Sequence, residues 1–532
     1  MLGVEAIGQG AIDGGVSGVY AYPGTPSTEI TEYIQINPEA IKRNIHRKWS
    51  ANEKTALETA LGMSYAGKRS LACMKHVGLN VAADPFMNAC VTGVNGGLVI
   101  AVADDPSMHS SQNEQDSRFF GKFGMVPVLE PTDQQEAYDM AFDGLELSEQ
   151  LQVPVLLRIT TRLAHSRSGV APRPARAENN LRMPANPKQF LLLPAFARKS
   201  YQGLLGKQEK MLSLSENSPW NRYIDGRDKS LGIICCGIAY NYLMENYIGQ
   251  ECPWPVVKIS QYPLPVAMIR KLEAVCDEIM VLEEGYPLVE EQLADFFGKG
   301  KKVWGRLTGT LPRSGELNPD HVAKALGREV VSHFSIPSLV ASRPPALCQG
   351  CGHQDVYNAL NVAIEEIGHG RVFSDIGCYT LGALQPYNSI DTCVDMGASI
   401  TMAKGAADAG LIPSFAVIGD STFTHSGITG LIDCVNENAN VTIIILDNEA
   451  VAMTGGQDSS SLGKIEDICA GVGVNPDHIK LVVPVKKNHD EMVRLISEEM
   501  EYNGVSVIIA RRECIQKIAR DKREKRIAVE IH

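Results

Sequence analysis

No stretch of this 532-residue chain approaches the roughly 18 consecutive apolar residues that a membrane-spanning helix requires, so no membrane span is expected. The opening Met1-Leu2-Gly3-Val4-Glu5 has neither the basic cluster nor the apolar core of a secretory signal, which points to a cytoplasmic location. Positive charge is also short. There are 50 Lys+Arg against 62 Asp+Glu, a net charge of −12, which argues against a nucleic-acid binder. The 13 cysteines are odd in number and scattered, a poor disulfide framework. Cys73, Cys90, Cys235 and Cys236 lie in apolar runs and read as small buried hydrophobes. Internal repeats and low-complexity tracts are missing too. What remains is ordinary globular composition, 44% hydrophobic and 21% charged, and a length that predicts roughly three to four domains.

The order of apolar runs and turn residues predicts an α/β architecture. Residues 1–165 alternate strands with helices. Gly18–Tyr22 reads as a strand running into Pro23-Gly24-Thr25-Pro26, with Ser27 or Thr28 capping a helix near Glu29. Gly97–Ala103 reads as a buried parallel strand ending on Asp104-Asp105-Pro106. Ligands in such sheets sit beyond the carboxyl ends of the strands, so both turns are candidate site loops. Residues 166–228 lose periodicity and read as a wrapping linker with some helix near Leu204–Leu214. Residues 229–335 form a compact α/β unit with strands at Ser230–Cys236, Val256–Ile259 and Glu278–Glu284. The next boundary is read at Leu339–Pro345. Residues 336–514 are α/β again, with strands at Arg371–Ser374, Phe415–Ile418, Val441–Leu446 and Val505–Ala510. Residues 515–532 form a basic tail, read as a solvated helix end.

Three constellations carry chemistry. In the first, Phe415–Ile418 stops on Gly419-Asp420-Ser421, and one crossover later Val441–Leu446 stops on Asp447-Asn448-Glu449-Ala450. Adjacent parallel strands place Asp420 and Asn448 at one sheet edge. A carboxylate, an amide oxygen and a backbone carbonyl suit Mg²⁺, which in turn bridges to a phosphate. Gly419 is expected to let a diphosphate approach the backbone. Thr454-Gly455-Gly456 and Asp395–Ser399 are further phosphate-friendly turns. In the second, Cys348 and Cys351 form a C-x-x-C pair next to His353, with Cys378 and Cys514 farther along. Such thiolates hold a [4Fe–4S] cluster or Zn²⁺, or act as a thiol–disulfide pair; Cys393, Cys434 and Cys469 compete with Cys514 for the fourth ligand position. The third is Glu53 in Trp49–Ala56, opening a small-residue helix.

The segments Tyr22–Ser27, Trp49–Lys54, Ala103–Arg118, Gly419–Gly427, and Leu446–Asn448 through Ala452–Gly455 together resemble the thiamine diphosphate-dependent 2-oxoacid:ferredoxin oxidoreductases. The resemblance is greatest to the large-subunit family of indolepyruvate ferredoxin oxidoreductase. It covers nearly the whole chain and is weakest between Ala164 and Asp228. It implies three α/β domains: pyrimidine-type and diphosphate-type thiamine-binding folds flanking a transketolase C-terminal-like domain. It implies Mg²⁺ on Asp420, Asn448 and the Ala450 carbonyl. Gly419, Ser421, Thr454, Gly455 and His353 would contact thiamine diphosphate. Glu53 would protonate its aminopyrimidine, and Cys348, Cys351 and Cys378 would ligate the cluster.

The reaction it implies is oxidative decarboxylation of an aryl 2-oxoacid with coenzyme A. The products are an aryl-acetyl-CoA, CO₂ and reduced ferredoxin, with thiamine supplying the carbanion chemistry. Thr25 and Arg118 are the expected substrate contacts, Arg118 as a carboxylate clamp. His76, His109 and His425 are candidate proton shuttles, and Tyr22, Leu79, Phe119 and Phe120 candidate pocket residues. Expected partners are a small oxidoreductase subunit, within a dimer of heteromers, and ferredoxin or a separate iron–sulfur subunit.

Three features depart from the family. Ser421 replaces a glycine, Cys348-Gln349-Gly350-Cys351-Gly352 stands for the usual Cys-Pro-Gly-Cys-Pro with both thiolates kept, and the family's ferredoxin-like domain does not follow Cys514, so electrons are expected to leave from the proximal cluster to another protein. Rival readings are a non-oxidative thiamine decarboxylase or carboligase, and a non-catalytic scaffold that keeps the fold.

Overall fold

The computed structural model describes residues 1–296, 300–330, 334–341 and 343–531. Residues 297–299 and 331–333 of the expected 229–335 unit, Ser342 of the expected boundary and domain, and His532 of the expected tail lie outside the described residues. The chain divides into two compact units, Met1–Phe334 and Ser335–His532.

The first unit holds two sheets. Its strands are β1 (Gly18–Ala21), β2 (His46–Trp49), β3 (Ser70–Lys75), β4 (Leu98–Asp104), β5 (Val128–Leu129), β6 (Val155–Thr160), β7 (Arg222–Ile224), β8 (Leu231–Cys236), β9 (Val256–Ile259), β10 (Gln261–Tyr262), β11 (Glu278–Leu282) and β12 (Lys302–Trp304). The larger sheet runs β10-β5-β6-β4-β3-β1-β2, parallel except for β10. The smaller runs β12-β11-β8-β9-β7, parallel except for β7.

Continuous apolar runs make these strands because both faces are covered. Leu71, Cys73, Val99, Ala101, Val155 and Leu157 fill one core layer, while the alternate residues Ala72, Met74, Leu98, Ile100 and Leu156 fill the other. Ile233 and Cys235 of β8 join the first layer, and Ile234 and Cys236 the second. The two sheets therefore share their cores, and β10, from the segment expected to stand alone, extends the larger sheet. That sharing is why Met1–Phe334 behaves as one unit.

The segment after residue 165 makes backbone contacts with the larger-sheet region. Arg176 donates its backbone N–H to Asp13, and Arg182 to Ala66. Two helices follow, Pro194–Leu205 and Gln208–Glu216. Ser27 does occupy the cap position of the Thr28–Ile36 helix, but its hydroxyl turns back to the Gly24 carbonyl instead of capping.

The second unit carries β13 (Val372–Ser374), β14 (Thr392–Cys393), β15 (Ser414–Gly419), β16 (Val441–Asp447), β17 (Ala450–Val451), β18 (Gln457–Asp458), β19 (Ile479–Val482) and β20 (Val505–Arg511). A wholly parallel six-stranded sheet has the order β14-β13-β15-β16-β20-β19, and β17–β18 is a small antiparallel hairpin. Alternation again buries both faces: Ala416, Ile418, Ile443 and Ile445 on one side, Phe415, Val417, Ile444 and Leu446 on the other. The basic tail is a helix, Ile515–Ile531.

Candidate functional site

In the second unit the site grows from the register of two strands. β15 and β16 pair in parallel with Gly419 opposite Leu446, so Asp420 and Asp447-Asn448 leave the sheet side by side. Asp420 opens a helical run continuing through a wide π-type turn, Phe423–Gly427, into the helix Ile428–Asn436. Its carboxylate is 2% exposed. Burial pushes it up to about 7, and the Asp447 charge adds to the shift. Such a desolvated carboxylate is relieved by a cation.

Hydroxyls surround it. Ser461 donates to Asp420 Oδ2 at 3.4 Å, Ser461 and Ser459 share a hydrogen bond at 2.7 Å, and Ser421 donates to Ser459 at 3.2 Å. The serine that departs from the family's glycine thus has a partner on the loop after β18. Ser459 and Ser461 were not singled out in the sequence, although the run Asp458-Ser459-Ser460-Ser461 was the available signal.

Asn448 is held in one orientation. Its Oδ1 accepts the Ala450 N–H at 3.1 Å, which turns Nδ2 toward His353 Nε2 at 3.4 Å. The His353 ring must therefore accept. Burial agrees, lowering its pKa to about 4 and keeping it neutral. Ala450 lies in the β17–β18 hairpin. Asp420, the Asn448 oxygen and the Ala450 carbonyl are an all-oxygen set of the kind Mg²⁺ prefers, so their chemistry fits the ion.

A Cβ at Gly419 would strike the Tyr379 ring, which also packs on Gly377. Two expectations at this edge change. The Asp395–Ser399 turn is not free for a phosphate. Asp375 accepts from the Gly397 and Ser399 backbone amides at 3.2 and 3.3 Å and from the Ser399 hydroxyl at 2.6 Å. The basic tail is not simply solvated. Lys517 donates to the Glu449 carbonyl at 3.2 Å and to Asp458 at 2.7 Å, and Arg520 donates to the carbonyls of Gly455 and Gly456. The Thr454 hydroxyl itself donates to Gln457 at 2.8 Å. His425 is buried, with Nδ1 2.6 Å from the Ser426 hydroxyl.

The four singled-out cysteines fall in one neighbourhood. Burial pushes the Cys378 thiol up to about 12, and Cys514, Cys351 and Cys348 all raise it further. Cys351 is likewise raised by burial, then by Cys348 and Cys514. The competing thiols of Cys393, Cys434 and Cys469 feel other groups. Among the described residues no group of three or more His, Cys, Asp or Glu side chains is set to hold a metal ion. Cys348, Cys351 and Cys514 all act on the Cys378 thiol, and thiols are the ligand type an iron–sulfur cluster takes.

In the first unit, Glu53 is the first residue of the helix Glu53–Tyr65, capped by Asn52, and is 5% exposed. Its carboxyl lies over Gly78, where a Cβ would come within 2.5 Å of Oε1. Glycine at 78 makes the carboxyl's pocket. Gly78 follows His76 on one short helix, and His76 is buried with Nε2 3.3 Å from the Asn113 carbonyl. The Thr25 carbonyl accepts from the Ser110 hydroxyl at 3.3 Å. His109 is exposed and pairs with Glu316 at 3.5 Å. Tyr22 and Leu79 are buried, Leu79 wholly within the core. Phe119 packs edge-on against Tyr286, and Phe120 against Phe86.

Arg118 is neither an exposed loop residue nor a carboxylate clamp. It is 1% exposed, and every guanidinium nitrogen is engaged. Nε donates to Asp116 at 2.9 Å, Nη1 pairs with Glu283 at 3.0 Å, and Nη2 donates to the Tyr286 carbonyl at 2.9 Å. Arg158 continues this buried layer, pairing with Asp104 at 2.6 Å and with Glu130. Arg306 closes it by donating to the Glu283 carbonyl at 2.9 Å. Burial alone would raise Asp116, but Arg118 and Arg158 outweigh it and hold the carboxyl below its usual range. Glu283 and Glu284, pushed up by burial, both sit at about 7. The signals for this layer were Arg158 inside an apolar strand and two glutamates ending another.

Comparison with known proteins agrees with this layout. Residues 9–204 match the family described as "Pyruvate flavodoxin/ferredoxin oxidoreductase, thiamine diP-bdg", and residues 375–510 match "Thiamine pyrophosphate enzyme, C-terminal TPP binding domain". In chain order, one match precedes the five-stranded sheet and the other follows it. The Archaeoglobus fulgidus indolepyruvate oxidoreductase subunit IorA is 39% identical over 97% of this chain and 86% of its own length. The Pyrococcus abyssi subunit of the same name is 38% identical over 97% of this chain and 85% of its own. A solved 2-oxoglutarate:ferredoxin oxidoreductase from Magnetococcus marinus, 18% identical, aligns over 62% of this chain and 64% of its own at a TM-score of 0.49. Domains and relatives together define a thiamine diphosphate-dependent 2-oxoacid:ferredoxin oxidoreductase. Within that class the chain belongs to the family of indolepyruvate oxidoreductase IorA subunits.

Proposed function

We propose that the protein oxidatively decarboxylates an aryl 2-oxoacid of the indolepyruvate or phenylpyruvate type. The balance is 2-oxoacid plus coenzyme A giving aryl-acetyl-CoA, CO₂, one proton and two electrons, the electrons passing singly to ferredoxin or a separate iron–sulfur subunit. The observation that carries the aryl preference is that six relatives, at 36–39% identity and matched over nearly the whole chain, are all indolepyruvate oxidoreductase subunits. Their designation as subunits supports a second polypeptide in the working enzyme.

Bound thiamine diphosphate supplies the electron sink on which a 2-oxoacid loses CO₂. The chain's own residues do the rest. Asp420, Asn448 and the Ala450 carbonyl would hold Mg²⁺, with the serine hydroxyls and neutral His353 fixing the first two. Glu53, kept from water over Gly78, holds a proton for the aminopyrimidine. Thr25 orients the substrate, and His425, buried beside the Asp420 turn, moves a proton. Cys348, Cys351, Cys378 and Cys514 would ligate a [4Fe–4S] cluster, whose chemistry would be one-electron transfer.

The test is reduction of a low-potential dye by the anaerobic complex with its partner subunit, comparing indolepyruvate, phenylpyruvate, pyruvate and 2-oxoglutarate. Coenzyme A-dependent reduction, with kcat/KM at least tenfold higher for the aryl acids, is expected. Preference for an aliphatic acid contradicts the substrate reading. CO₂ release without dye reduction contradicts the oxidative one.

A further inference from the structure

We propose that Gln516 tunes the reduction potential of the iron–sulfur cluster by donating an amide hydrogen bond to the sulfur of Cys348. The proposal rests on the reading of Cys348, Cys351, Cys378 and Cys514 as cluster ligands.

The geometry is direct. Gln516 Nε2 lies 3.5 Å from Cys348 Sγ, although the two residues are far apart in sequence. The amide is brought there by the start of the C-terminal helix, Ile515–Ile531. Six hydrogen bonds fix that start. The Cys514 backbone N–H donates to the Asn448 carbonyl at 3.0 Å, and Ile518 N–H returns to the Cys514 carbonyl at 3.0 Å. Lys517 grips the Glu449 carbonyl and Asp458, and Arg520 grips the Gly455 and Gly456 carbonyls. The element presenting Gln516 is thus pinned to the loop carrying the proposed Mg²⁺ ligand Asn448.

The sign follows from charge. A ligating cysteine sulfur is a thiolate, and an added electron makes the cluster and its sulfurs more negative. A donor aimed at one sulfur stabilises the reduced state more than the oxidised state and raises the potential. The backbone N–H of His353 is similarly placed at Cys351 but cannot be removed by substitution. Gln516 can be. Both it and Cys348 are exposed, so its replacement leaves the core untouched.

The experiment is a redox titration, followed by low-temperature EPR, of the anaerobically purified complex carrying wild-type protein, Gln516→Leu or Gln516→Glu, with iron and acid-labile sulfide counted in each. Leucine removes the donor, and glutamate also adds a negative charge. The expected result is unchanged iron, a midpoint shifted to lower potential in Gln516→Leu, and a larger shift in the same direction in Gln516→Glu. A full cluster with an unmoved midpoint in both variants overturns the proposal. So does loss of iron in both, because Gln516 then holds the cluster rather than tunes it. A wild-type protein free of iron instead overturns the cluster reading itself, and the iron count tells that failure apart.

Discussion

Replacing Arg118 with methionine separates a structural role from a substrate-binding one. The side chain is enclosed and pairs with Asp116 and Glu283, with Glu130 3.7 Å away. Removing it leaves those buried carboxylates without their counter-charge, and breaking a buried pair in this way costs about 3–5 kcal/mol. Arg158 still faces Asp116 at 3.6 Å and pairs with Glu130, which places the expected loss at the lower end of that range. For a unit spanning Met1–Phe334, an unfolding entropy of about 2.1 cal/mol/K per residue converts about 3–5 kcal/mol into a drop of about 4–7 °C in the first thermal transition. Calorimetry of the full chain, with KM for the 2-oxoacid measured below that transition, checks this. The network account predicts the drop in melting temperature and a KM within about threefold of wild type. An unchanged transition with KM raised tenfold or more refutes it and restores Arg118 as a substrate clamp.

Other expectations follow from single contacts. Gly78→Ala sits in a helix without positive φ, so the fold is expected to keep its melting temperature, but the new Cβ meets the Glu53 carboxyl at 2.5 Å. Steady-state assay is expected to show kcat reduced on the order of 10²-fold, the contribution of one displaced proton donor. Glu284, raised from 4.5 to about 7, binds its proton more tightly in the folded than in the unfolded state. Its stabilising contribution is complete below about 4.5 and is lost as pH rises through about 7, at up to about 1.4 kcal/mol per pH unit. Melting curves from pH 5 to 8 are expected to show a steeper decline in the wild type than in Glu284→Gln; parallel curves count against it. Lys517→Met releases the Glu449 carbonyl and Asp458, and equilibrium dialysis is expected to find thiamine diphosphate with Mg²⁺ bound roughly tenfold more weakly, about 1.4 kcal/mol. Lys517→Arg should recover part of that.

Much of the fold was legible because a parallel sheet covered on both faces writes itself as continuous apolar runs. Phe415–Ile418 and Val441–Leu446 were readable as strands for this reason, and one crossover between them was enough to bring Asp420 beside Asn448. The cysteines were singled out from chemistry, and Cys514, but not Cys393, Cys434 or Cys469, acts on the Cys351 and Cys378 thiols. What stayed hidden was decided by distant partners. Arg118 reads as available in its own segment, and beyond Asp116 it is Tyr262, Glu283 and the Glu284 and Tyr286 carbonyls, all distant in sequence, that consume it. Lys517 and Arg520 look like a solvated charge run because their acceptors are backbone carbonyls, which no residue pattern reveals. The boundary between residues 1–165 and 229–335 blurs for a similar reason: alternate residues of β8 complete cores begun by β3, β4 and β6.

The central claim is an oxidative thiamine enzyme whose electrons leave through a cluster on Cys348, Cys351, Cys378 and Cys514. Its most direct test is a count of iron, acid-labile sulfide and thiamine diphosphate per chain on protein purified without oxygen. The account predicts about four iron and about four sulfide, with about one thiamine diphosphate. Thiamine-loaded, undamaged protein with near-zero iron contradicts it, and leaves a non-oxidative 2-oxoacid decarboxylase with four structural thiols.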